Sequence, residues 1–225
     1  MTESLGERMT ASFGEQSLQR LLEAVAARTT APGGGAVTGV VAALAGALVE
    51  MCARFSGTDL ADATDLTRTD LTQRTHVTDL AGRADELRAR AVSLAQSDLA
   101  VYAEYMEARR AGGDGAVAAA LDEAIRIPLE MAEVAAELAK IALVLARSAN
   151  PNLRGDATTA VLMGVAAAKA GAVLVAENLS DRDGDPKPVD PKPVDPRLAR
   201  AVAIVASATA AERDALSLYP ILNAT

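Results

Sequence analysis

The chain has 225 residues, enough to bury one sizeable core, and half of them are hydrophobic although only 2% are aromatic and tryptophan is absent. A net charge of −8 argues against a basic nucleic-acid-binding surface. One cysteine, Cys52, excludes an internal disulfide and a cysteine metal cluster.

Alanine supplies much of the apolar content, and runs of β-branched or aromatic residues are few, so the composition predicts an all-α chain. We read residues 1–225 as a single helical domain. Residues 1–16 carry Glu3, Glu7 and Glu15 with no apolar centre, so they do not read as a signal peptide, and a cytoplasmic location is expected.

The first helix is predicted over residues 15–28, with Leu18, Leu21, Leu22 and Val25 as its buried stripe. Ala31-Pro32-Gly33-Gly34-Gly35 follows as a turn in which the glycines allow backbone angles closed to other residues. Residues 36–49 then carry no charge. Val37, Val40, Val41, Leu44, Leu48, Met51, Cys52 and Phe55 mark one helical face. Gly39, Ala42, Ala43, Gly46 and Ala47 form a small-residue face that lets another helix approach closely. This reads as a central helix covered on most sides. The run is uncharged for a membrane's thickness, but it is rich in Ala and Gly and contains the Pro-Gly-Gly-Gly turn, so no membrane span is expected. Free N–H groups at such a helix start suit an anion or carbonyl, while a plain connecting turn explains the glycines equally well.

Residues 58–79 repeat Thr-Asp-Leu four times and read as a loop or short helix, with His76 at the surface. A long helix over residues 79–109 has Leu80, Ala84, Leu87, Ala91, Leu94, Val101, Tyr102 and Tyr105 on its inner face. Asp98 falls on that stripe. An acid there needs partners, either a structural hydroxyl or arginine, or a cleft in which it does chemistry. Another helix, over residues 116–148, is predicted to kink at Pro128. The polar turn of residues 148–156 holds Asn150, Asn152 and Asp156, the last a good N-cap for a helix over residues 157–179. Residues 181–196 contain Asp-Pro-Lys-Pro-Val twice in tandem and read as an extended surface loop. A final helix is predicted over residues 197–218.

Three stretches, in this order, resemble the cyclodeaminase/cyclohydrolase family. They are residues 31–35 with the small-residue helix behind them, Ser97-Asp98-Leu99-Ala100-Val101-Tyr102, and Ile127-Pro128-Leu129 leading to Asn150-Pro151-Asn152 and Asp156. The likeness covers about residues 18–179. It implies an up-and-down helical bundle that forms a homodimer and acts on a one-carbon folate without metal or other cofactor. It implies Asp98 as the catalytic acid/base. It also implies that Gly33, Gly34 and Gly35 line the folate cleft together with Asn150, Asn152 and Asp156. The activity expected first is methenyltetrahydrofolate cyclohydrolase, because no formiminotransferase segment lies within these 225 residues; the alternative is formiminotetrahydrofolate cyclodeaminase. The chain departs from the family pattern at Gln96, Ala36 and Leu174, where polar or acidic groups are usual. Those departures motivate a further alternative, a related bundle that binds a ligand without turnover.

Overall fold

The structure is a computed structural model that describes residues 16–59, 68–182 and 195–223. Among these residues there is no strand. The helices are α1 (Leu18–Ala26), α2 (Gly34–Asp59), α3 (Arg68–Ala111), α4 (Asp114–Ser148), α5 (Arg154–Arg182) and α6 (Pro196–Leu216). The tandem Asp-Pro-Lys-Pro-Val segment lies outside the described residues.

Cross-helix contacts fix the directions. Gly46 of α2 lies against Arg88 of α3, and Gly39 against Ala91 and Ala95, so these helices run antiparallel. Arg83 pairs with Glu137 and Arg90 with Glu130, which sets α3 antiparallel to α4. Gly164 faces Ala135 and Ala139, and Gly171 faces Pro128 and Ala132, which sets α5 antiparallel to α4. Lys169 pairs with Glu212, and Thr158 lies 3.2 Å from the Tyr219 hydroxyl, so α6 runs back along α5. The result is the expected up-and-down bundle.

The organising helix is α4 rather than α2. Ile127, Met131, Leu138, Ala135, Ala139 and Ala142 are all buried, and α4 touches α2, α3, α5 and α6. It continues through Pro128 as one helical element. Its close fit against α5 requires glycine there: a Cβ at Gly171 would stand 2.7 Å from the Pro128 carbonyl oxygen, and one at Gly164 2.8 Å from that of Ala135.

The α2 expectation is corrected on its large-residue face. The small residues Gly39, Ala42 and Gly46 are buried, as the pattern suggests. The predicted large-residue face divides: Leu44 and Phe55 are 52% and 55% exposed, Val37 and Val40 are half-buried, Val41, Leu48 and Met51 pack partly against the core, and Cys52 is buried. Close approach through small residues won the inside, and among the described residues nothing covers Leu44 and Phe55. The same applies to α1. Ser17 caps it by accepting the Arg20 N–H at 3.3 Å, but the helix buries none of its residues, and Leu18 and Leu22 are 69% and 60% exposed.

Two boundaries also move. Helix α3 begins at Arg68, well before residue 79, so the later Thr-Asp-Leu copies are helical; His76 is exposed on it. Helix α5 begins at Arg154, which puts Asp156 in its first turn rather than at its cap.

Candidate functional site

The site grows from the start of α2. Val37 donates to the Gly33 carbonyl at 3.1 Å, closing the first helical turn, so Gly34 and Gly35 are already helical. None of the three glycines has a positive φ; among the described residues only Gly112 does. The expectation that these glycines serve unusual backbone angles is therefore wrong. Gly35 is there because a Cβ at this position would land on the Asp98 carboxylate.

Asp98 comes from α3. The antiparallel register that sets Gly46 against Arg88 and Gly39 against Ala95 delivers Asp98 to the end of α2. Its carboxylate accepts the Ala36 N–H, one of the orphan donors of the helix's first turn, and so lies in the field of the α2 N-terminus. Burial pushes the Asp98 carboxyl above its ordinary value, and the Ala36 N–H opposes that shift. Among the described residues no arginine or lysine pairs with it. The side chain is only partly covered. It is therefore a carboxylate held by one backbone donor beside a helix end, neither neutralised nor sealed.

Gly33 and Gly34 are exposed beside it. Leu174 of α5 borders the turn, its Cδ2 3.8 Å from where a Gly34 Cβ would be. Tyr102, expected on the inner face of α3, is instead 40% exposed. It lies one helical turn beyond Asp98 on α3, on the same side of that helix. Its spacing from Asp98 was the signal for it.

Asn150, Asn152 and Asp156 are not part of this cluster. Asn150 N–H donates to Ser56 Oγ at 3.2 Å, and Cys52 Sγ lies 3.9 Å from the Leu153 carbonyl. These contacts fix the turn at the far end of α2, about 30 Å from Gly35 at 1.5 Å per residue. The Asn150 side chain caps a short 3-10 turn by accepting the Asn152 N–H at 2.9 Å. Asp156 raises the Cys52 thiol, whose burial is the larger cause of a pKa pushed up to about 11. Within one chain, then, the expected cleft divides into two ends: Gly33, Gly34, Gly35 and Asp98 at one, Asn150, Asn152 and Asp156 at the other. Helix packing direction decides this, and spacing in the sequence does not carry it. Among the described residues, no three His, Cys, Asp or Glu side chains converge as metal ligands.

Comparison with known proteins adds to this geometry. The family described as formiminotransferase-cyclodeaminase matches residues 17–189. The crystal structure of formiminotetrahydrofolate cyclodeaminase from Thermotoga maritima is similar, with a TM-score of 0.77 and 25% sequence identity; the match covers 93% of this chain and 98% of that one. Among curated proteins, none matches.

Proposed function

This chain belongs to the formiminotransferase-cyclodeaminase family of one-carbon folate enzymes, and from that premise we propose that it is a formiminotetrahydrofolate cyclodeaminase with Asp98 as its proton carrier. This reading takes precedence over the cyclohydrolase because the matched family and the similar structure are both named for the cyclodeaminase. The observation that carries the role of Asp98 is its seat: a carboxylate free of cationic partners among the described residues, raised by burial, and held by Ala36 N–H where Gly35 leaves room.

The chemistry fits a carboxylate so placed. In the protonated 5-formimino substrate, N10 attacks the amidinium carbon and forms a tetrahedral centre between N5 and N10. The N10 proton must leave and the former imino nitrogen must gain one. Asp98 takes the first and returns it to the second, so ammonia departs and the carbon–nitrogen double bond of the methenyl cation forms. Charge is conserved, because a cation enters and a cation leaves with neutral ammonia. A carboxyl with a raised pKa suits a group that holds a proton between two transfers, and such help is worth roughly 10²–10⁴ in rate. The carboxylate also offsets the positive charge of the reacting carbon. Tyr102 offers a ring face on which a pterin can stack beside Asp98.

The test is to mix the protein with 5-formiminotetrahydrofolate and record the near-ultraviolet band of the methenyl product together with released ammonia. Both rise with the wild type and stay at blank level with Asp98→Asn if the reading holds. Blank-level traces from the wild type would reject it. Loss of an added methenyltetrahydrofolate band without ammonia would return the assignment to the cyclohydrolase.

A further inference from the structure

We propose that the ion pair between Glu50 of α2 and Arg88 of α3 is a register pin: it fixes how far α2 slides along α3 and thereby seats Asp98 against the Ala36 N–H. Glu50 and Arg88 are then positioning residues, and their effect on turnover rests on the cyclodeaminase reading given above.

The first argument is where the pair stands. Glu50 is the first charge of α2, directly after the uncharged run of residues 36–49, and it is only 7% exposed. Arg88 donates from Nε to Glu50 Oε2 at 3.0 Å, and Arg54 pairs with the same carboxylate from one turn further along α2. Asp85 holds Arg88 from its own helix. At 1.5 Å per residue Glu50 lies about 21 Å along α2 from Ala36, too far to touch atoms reacting at Asp98. Its influence on them must pass through the packing of α2 on α3.

The second argument is what the rest of that seam leaves open. Gly39 faces Ala91 and Ala95, Gly46 faces the Arg88 stem, and Ala42, Ala53 and Ala84 are buried. Small residues recur on α2 about once per turn, at Gly35, Gly39, Ala42 and Gly46. They let the helices come close, but a repeat of one turn does not say which turn meets which. Slid by one turn, α2 would set Gly35 where Gly39 stands and Ala42 where Gly46 stands, and small residues would still line the seam. Gly46 would then occupy the place of Glu50, and Arg88 would lose its partner on α2. Slid the other way, Arg54 takes that place and meets Arg88, cation to cation. Either slip carries the Ala36 N–H about 5.4 Å from the Asp98 carboxylate.

The third argument is energetic. Withdrawing two charges from water costs about as much as their attraction returns, and an apolar pair of similar volume is often at least as stable. A buried ion pair in an otherwise uncharged seam is thus poorly explained by stability. Fixing one register among several is the best-attested use of such a pair.

The test reads the seat of Asp98 directly and needs no turnover. The Ala36 amide resonance of the full chain is followed through a pH titration by NMR. In the wild type it is expected to move with the Asp98 carboxyl, and Asp98→Asn removes that movement. In Glu50→Leu/Arg88→Met the movement is expected to be lost, although the variant unfolds at no lower denaturant concentration than the wild type. Glu50→Gln, which keeps an acceptor for the Arg88 Nε–H, is expected to retain it. Should the double variant not fold, Arg88→Met alone, in which Arg54 still pairs with Glu50, carries the same expectation. An Ala36 resonance that follows Asp98 in the folded apolar variant, its loss in Glu50→Gln, or a wild-type resonance that ignores Asp98 would each overturn the proposal. In an active background the apolar variant is expected to lose about a hundredfold in kcat with KM little changed, and an unchanged kcat would overturn it too. Blank-level turnover of the wild type would instead reject the enzyme reading and leave the titration to decide the pin.

Discussion

Gly35→Ala separates the placement of Asp98 from the stability of the bundle. The new methyl group occupies the space of the Asp98 carboxylate, which must rotate away and release the Ala36 N–H. Losing a side-chain cap of this kind costs about 0.5–2 kcal/mol. Replacing a helical glycine by alanine returns about 1 kcal/mol. The net change is within about 1 kcal/mol of zero, which for a chain of this size shifts the melting temperature by only about 2–4 °C. The activity has no such offset, because a displaced carboxylate forfeits the roughly 10²–10⁴ assigned to proton transfer. The variant is therefore expected to melt close to the wild type by circular dichroism while its methenyl-forming rate falls at least a hundredfold. Turnover within threefold of wild type, with the fold intact, would refute the idea that Gly35 exists to seat Asp98.

Other outcomes follow from the same structure. Because burial raises the folded-state pKa of Asp98, its contribution to stability is fully present below the ordinary carboxylate pKa and is lost as pH climbs through the raised value; wild type should therefore lose melting temperature relative to Asp98→Asn as pH rises from the ordinary carboxylate range. The acid limb of the rate profile should lie above an ordinary carboxylate's for the same reason. The Cys52 thiol, pushed up to about 11 and buried, should resist a maleimide at neutral pH until the chain is unfolded. Gly171→Ala forces a methyl group to within 2.7 Å of the Pro128 carbonyl oxygen and should destabilise the bundle by roughly 1–3 kcal/mol in a denaturant titration.

The all-α fold and its bundle topology were legible because alanine-rich runs with 3.6-residue spacing have few other solutions. Asp98 was legible too, as an acid on an otherwise apolar stripe. The use of Gly35 was not: a glycine needed for a neighbour's carboxylate and one needed for its own backbone angles look alike in sequence. The apolar faces were recognisable as faces, but not their direction. Both sides of α2 are apolar, so periodicity could not say that the small residues would go inward and Leu44 and Phe55 outward. The division between Gly35 and Asn150 was hidden for a similar reason. Which helix ends meet depends on chain direction through the bundle, and the far end of α2 is closer in sequence to Asp98 than its start is.

The interior of this bundle is lined largely by alanine: Ala42, Ala45, Ala53, Ala84, Ala91, Ala95, Ala132, Ala135, Ala139, Ala142, Ala160 and Ala168 are all buried completely. Along these alanine seams there is almost no volume to lose, so trimming mutations cost most at the larger buried side chains Leu94, Ile125, Ile127, Met131 and Leu138. The alanine seams fail by swelling, since a single added methyl group there pushes two backbones apart rather than leaving a void between them. Drift toward larger residues is thus barred along the helix seams.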